Sequence, residues 1–436
     1  MNNIILEKHT LPILKSEKIL KKNKLLTIQN IDKDFELENS KEYKSVTSNL
    51  HEDYARIQFR EILTKAIHKG ASDIHIEPFE DEILVRIRVD GQLRKILTID
   101  MESYSFLLTV IKLDSGMNIT EKRLPQDGRM DKKIDDIIAD IRTSTIPTIY
   151  GEKIVLRILN RQPFIKEKSE LGFSKRAIEK IENIINKKSG ILLVTGSTGS
   201  GKTTTVYSIL NDLLNSKKNI MTIEDPVEYK IKGINQIQVN NKIGLTFDVG
   251  LRSILRQDPD IIMIGEIRDV ETAKIAIRAA STGHLVISTM HTNDTISSIN
   301  RLIEMELPPY LISSTLIGII SQKLVRKICN NCNHSIIIKD DLDKEINTNM
   351  GIECDECEDT GYHGRTAMYE ILEINENLKK HINNWTNNSN ISNIAMKYEM
   401  ITFEDSAKYL IENDITTQEE CGILEGIWYA RNQIYA

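Results

Sequence analysis

ILLVTGSTGSGKTTTVYSILNDLL, residues 191–214, is the stretch on which the fold turns. ILLVT (191–195) suits a buried strand, and TTTVYSILNDLL suits a helix. Between them, GSTGSGKT fills residues 196–203. Gly196, Gly199 and Gly201 let the backbone turn tightly and aim its N–H groups at phosphate oxygens, with Ser197, Thr198 and Ser200 completing the loop. Lys202 is placed to reach the β- and γ-phosphates, and Thr203 to offer a hydroxyl to Mg²⁺. A glycine-rich turn without nucleotide is the bland alternative; the strand before it and the helix after it count against that. The pattern predicts a P-loop.

Outward from this loop, NIMTI (219–223), IIMI (261–264) and LVISTM (285–290) are further apolar runs separated by helical segments. Runs without alternation predict strands buried on both faces, hence a mostly parallel sheet in an α/β fold. Ligands collect at the C-terminal ends of such strands. Carboxylates stand there in TIEDPVEY (222–229) and GEIRD (265–269), making Glu224 and Glu266 candidates for the catalytic site. His284 and His291 flank LVISTM, and either is a candidate to position the γ-phosphate. A lone strand-end acid or histidine is more often a cap or a structural hydrogen-bonding residue. It is the combination with the loop that makes a site.

Upstream, Tyr54 to Ile67 reads as a helix stopped by Gly70, ILVRIRV (83–89) alternates as a half-buried strand, DG (90–91) signals a hairpin, and KIVLRIL (153–159) reads as a strand. Together residues 51–160 predict a small α+β domain, with residues 1–50 a short Lys- and Asn-rich arm and a polar linker at about 161–175. Leu307 to Gln322 is apolar but too interrupted for a membrane span and is expected to be a buried helix. A net charge of −6 over 436 residues gives no global basic field, so nucleic acid is not an expected partner. No signal-peptide pattern opens the chain, which predicts a cytosolic protein.

Cysteines form two CxxC pairs, Cys329/Cys332 and Cys354/Cys357, plus Cys421. Each pair sets two thiolates on one tight turn, and two turns complete a tetrahedron, so the spacing predicts a structural Zn²⁺ site. Four unmetallated thiols are the alternative.

Taken in order, TGSTGSGKTTT, TIEDPVEY, LRQDPDIIMIGEIRD and TGHLVISTMHTN resemble the Walker A, Asp box, Walker B and His box of the type II secretion and type IV pilus assembly ATPases. ASDIHIEP (71–78), RVDG (88–91), RLPQDGR (123–129) and RTSTIPTIYGEKIVLRIL (142–159) look like that family's second N-terminal domain. The resemblance runs from about residue 50 to the end. It implies a RecA-like ATPase domain over 161–385, carrying a zinc module at 326–366, preceded by a PAS-like α+β domain and followed by a helical extension over 386–436. ATP, Mg²⁺ and Zn²⁺ are the implied cofactors. Carried over residue by residue, Glu224 is the base or water-orienting group, Glu266 joins Thr203 at Mg²⁺, and His284 and His291 fall in the His box. Arg88, Arg123, Arg129 and Arg142 occupy arginine-containing motifs of the N-terminal domain, and Arg252 and Arg256 are further candidates for neutralising phosphate charge. Any one of them is equally readable as an interface or surface ion pair.

The implied partners are copies of the chain in a hexameric ring and an inner-membrane platform protein, with peripheral membrane association through that partner. The tetracysteine motif and GYHGR (361–365) resemble assembly and secretion members rather than retraction motors. Retraction is the nearest alternative, and a nucleic-acid-translocating ring the next. About fifty residues precede the second domain here, fewer than full-length relatives carry, so the membrane contact is expected to differ.

Overall fold

The computed structural model describes residues 41–160, 166–214, 217–332, 336–339, 345–348, 354–384 and 400–422. The arm expected over residues 1–50 and the extension expected over 386–436 lie partly outside them. From Lys41 onward the chain is already helical, in the long helix Lys41–His68.

The first sheet has β1 (Asp73–Pro78), β2 (Ile83–Val89), β3 (Gln92–Ile99), β4 (Gln126–Ile134), β5 (Ile137–Thr148) and β6 (Gly151–Asn160). They pair in the order β3-β2-β1-β6-β5-β4, and every pairing is antiparallel. In β2 the alternation holds: Ile83, Val85, Ile87 and Val89 are buried, and Arg86 and Arg88 face the other way. Asp90 (φ 50°) and Gly91 (φ 87°) form the DG turn, both in the left-handed region that such hairpins need. The helices Lys41–His68 and Met101–Asp114 cover the apolar face, with Phe59, Ile62, Leu107 and Ile111 packed on Ile74, Ile87 and Ile141.

The second sheet has β7 (Gly190–Thr195), β8 (Ile220–Glu224), β9 (Asn235–Gln238), β10 (Ile261–Ile264), β11 (Leu285–Met290), β12 (Leu316–Ile328) and β15 (Tyr362–Glu373), in the order β15-β12-β7-β11-β10-β8-β9. All pairings are parallel except β12 with β15. Continuous apolar runs follow from two covered faces. Ile191, Leu193 and Val286 point into a core shared with the helices Phe247–Ile254, Val270–Ser281 and Thr295–Glu304. Leu192, Val194 and Ile287 point into another, shared with Lys175–Ile185 and Lys202–Leu213. A short antiparallel hairpin, β13 (Ile336–Lys339) with β14 (Glu345–Thr348), lies between the two CxxC pairs.

One expectation is corrected. Leu307 to Gln322 is not a single buried helix: only Pro309–Thr315 is helical, and the chain then enters β12. The reason is steric and local. Leu316, Ile317, Ile319 and Ile320 favour a pleated strand, and Gly318 admits Ile184 so closely that a Cβ there would lie 2.7 Å from its Cδ1.

Candidate functional site

Because β7, β8, β10 and β11 are parallel, their C-terminal ends share one edge of the sheet. β7 delivers the glycine loop there. Gly196 (φ 144°), Gly199 (φ 78°) and Gly201 (φ 85°) all take conformations that an L side chain resists. Gly201 is the N-cap of the helix Lys202–Leu213, with no side-chain cap, so the first-turn N–H groups face the loop. That is the donor array an anion needs. Ser197, Thr198 and Gly199 are exposed on the loop's outer rim. Lys202 is buried, and its Nζ donates to the carbonyls of Gly196 (2.8 Å) and Ser197 (2.9 Å). Burial pulls its ammonium pKa down, while the Glu266 charge acts to raise it.

Glu224 ends β8 and is 3% exposed. Its carboxylate accepts from Thr222 Oγ1 (2.6 Å), Gln236 Nε2 (3.1 Å) and the Tyr207 hydroxyl. Glu266 lies just past β10. Its Oε1 is 2.5 Å from Arg268 Nη2. Its Oε2 is buried, accepts no hydrogen bond among the described residues and stands 3.3 Å from His291 Nε2. A buried carboxylate oxygen without a donor fits a cation, and the half-buried Thr203 at the head of the helix offers a hydroxyl of the kind such an ion takes. The structure therefore brings the loop, Glu224, Glu266 and His291 to one edge.

His284 is not brought there. It precedes β11, whose Leu285 pairs with Gly190 at the start of β7, while Met290 pairs with Thr195 beside the loop. The histidine stands a strand's length away, its Nδ1 2.8 Å from the Ala279 carbonyl at the C-terminus of Val270–Ser281. The arginines divide similarly. Arg142 Nη2 lies 3.3 Å from Glu228 Oε2 on the loop after β8. Arg88 donates to the Gly91 carbonyl (2.8 Å). Arg123 is 86% exposed and paired with Glu121, and Arg129 is held by Asp140. Arg252 pairs with Asp248 and Glu271, and Arg256 donates to the Arg252 carbonyl, so neither is brought to the glycine loop.

Three residues around the site were not read from the sequence. Tyr207 links the Lys202 helix to Glu224, and its hydroxyl accepts the Glu228 N–H at 3.4 Å. Burial raises the Tyr207 pKa, aided by the Glu224 charge, so the hydroxyl keeps its proton. Glu228 is pushed up by burial, with Arg142 and Arg157 opposing. Arg268 was hidden within GEIRD. The only sequence signal was position, since Tyr207 follows Lys202 on the same helix.

The cysteine pairs close on each other through β12 and β15. All four Sγ atoms lie within 4.8 Å of one another, with Cys329–Cys354 at 3.9 Å and Cys332–Cys357 at 3.4 Å. Those separations are far from the ~2.05 Å of a disulfide. They bracket the ~3.8 Å that a tetrahedron of ~2.3 Å Zn–S bonds requires, so the four thiols fit zinc. Burial pushes the separate Cys421 thiol up to about 11. The module also touches the first sheet. Glu358 pairs with Lys69 and lies 3.3 Å from Arg94. Asp90 accepts the Gly364 N–H at 2.8 Å and lies 3.5 Å from Arg365.

Residues 51–422 match the family described as Type II/IV secretion system protein. The chain is 43% identical over 405 residues to "Type IV pilus assembly ATPase PilB" of Thermus thermophilus, covering 90% of this chain and 45% of that protein. It is 42% identical over 365 residues to "Type II secretion system protein E" of Dickeya dadantii, covering 82% of this chain and 73% of that one. Among solved structures, the pilus retraction motor PilT with bound ADP aligns at TM-score 0.56 and 27% identity, covering 83% of this chain and 95% of PilT. Legionella pneumophila DotB aligns at TM-score 0.64 and 22% identity, covering 84% and 95%, a likeness of fold. Among the described residues no helix is long and apolar enough to cross a membrane.

Proposed function

The chain belongs to the type II/IV secretion system protein family of ATP hydrolases, and we propose that it uses ATP hydrolysis to power assembly of a pilus or pseudopilus. The observation that carries this reading is the meeting of Lys202, Glu266 and His291 at one sheet edge, with Glu224 held beside them. The loop N–H groups and Lys202 bind the phosphates of ATP. Thr203 and Glu266 hold Mg²⁺, which supplies charge neutralisation at the phosphates. Glu224 and His291 orient the attacking water and the γ-phosphate. Arg142, already against the loop after β8, is the arginine best placed to add positive charge from the first sheet.

The four cysteines hold a structural Zn²⁺ and favour assembly over retraction, as the family resemblance implies. The chain works as a ring of identical copies, a hexamer by that resemblance, on the cytoplasmic side of the inner membrane through a platform protein. Ligand contacts from both sheets favour a closed state, which couples hydrolysis to relative motion of the two units.

Phosphate release by the purified protein tests the reading. Wild type turns over with Mg²⁺, and Glu266→Ala lowers kcat about 100-fold while ADP binding stays within a few-fold. Full activity in that variant removes Glu266 from the metal site. Strong stimulation by single-stranded DNA would point instead to a nucleic-acid motor.

A further inference from the structure

Gln322 is a polar residue in a buried strand. It is 1% exposed on β12, directly after the buried run Leu316 to Ser321. β12 runs parallel to β7 with Ser321 opposite Thr195, so Gln322 meets Gly196 where β7 gives way to the loop. The Gln322 backbone carbonyl packs so tightly there that a Cβ on Gly196 would lie 2.3 Å from its oxygen. Its side chain then reaches the loop's far end. Nε2 donates to the Ser200 carbonyl at 2.6 Å, and a Cβ on Gly201 would lie 3.0 Å from the same nitrogen. One residue therefore touches both ends of the loop.

Nothing in the core rewards this amide. Its Oε1 is buried and has no donor among the described residues, which is costly for a residue whose only task is packing. The bond it does make has a directional consequence. In a planar trans peptide the C=O and N–H point opposite ways. Drawing the Ser200 carbonyl toward β12 turns the Gly201 N–H away from β12, and Gly201 is the uncapped N-cap of the Lys202 helix. That N–H heads the donor array on which an anion sits.

We propose that Gln322 is a positioning residue for the nucleotide's phosphates: its amide fixes the Ser200–Gly201 peptide so that the Gly201 N–H faces the diphosphate. This rests on the reading of residues 196–203 as a nucleotide loop. Gln322 touches the loop and not the nucleotide. The contact it secures is made equally in the ground and transition states, so its loss weakens binding and spares the chemical step.

ADP titration of the full chain, with steady-state ATP kinetics, tests this. Gln322→Met keeps the bulk and loses the donor. Gln322→Asn keeps the amide but withdraws it by one methylene. Each folded variant is expected to bind ADP about tenfold more weakly, the size of one lost hydrogen bond. KM for ATP should rise in step and kcat stay within about twofold. A folded variant with a lowered melting temperature but wild-type ADP affinity would mark Gln322 as structural and overturn the proposal, as would failure of both variants to fold. Failure of the wild type itself to bind ADP would remove the loop reading, a result distinct from either.

Discussion

Lys202→Ala is expected to abolish ATP hydrolysis, with turnover falling at least 100-fold, while the fold survives. The ammonium lies inside the loop, on the carbonyls of Gly196 and Ser197, and no other cation contacts those two oxygens among the described residues. Removing it takes away the positive charge that meets the β- and γ-phosphates as negative charge shifts between them. Alanine is a strong helix former, and position 202 opens the helix, so the backbone has no reason to move. Far-UV circular dichroism should match wild type. Near-normal phosphate release from that variant would sink the site.

Purified protein is expected to hold about one zinc per chain, and Cys354→Ser to lose most of it. Elemental analysis reads both. Structural zinc sites in small peptides contribute ~10–16 kcal/mol of apparent binding energy, and the described part of this module offers little else: its buried cluster consists of Cys329, Cys354 and Cys357, with Cys332 against it. Metal removal by a strong chelator should therefore loosen the segment between the CxxC pairs, read as faster amide exchange or proteolysis there. β12 and β15 should stay paired, because their register from Gly318/Glu373 to Arg326/Arg365 lies in the sheet. Properly folded protein without zinc would refute the module.

What the sequence made legible was chemistry that is local in the chain. A glycine loop between a strand and a helix needs no tertiary information, and neither does a CxxC pair. Placement across the fold was harder. His284 and His291 flank the same six-residue strand and looked alike, yet a parallel strand carries its two ends to opposite edges of the sheet. Only the downstream histidine reaches the edge where Glu266 stands. Arginines were ambiguous for a similar reason, since each finds an acid whose position depends on pairing: Arg142 finds Glu228 across the two sheets, and Arg123 finds Glu121 two residues away. β12 was mistaken for helix because a fully buried strand has no alternation to declare it. β15 went unread because its first residues, YHGR, look like loop. Tyr207 and Gln322 carry no motif of their own. Their meaning comes from what stands opposite them.

The polar bridge from the cysteine module to the first sheet sets how these two units can move. The chain joins them once through the backbone beyond Asn160, and Asp90 with Glu358 joins them again at Gly364, Lys69 and Arg94. Two units tied in more than one place turn about their ties sooner than they part. Arg142 on Glu228 is a further tie, and it lies at the nucleotide edge. Letting go there leaves the ties at Gly364, Lys69 and Arg94 in place.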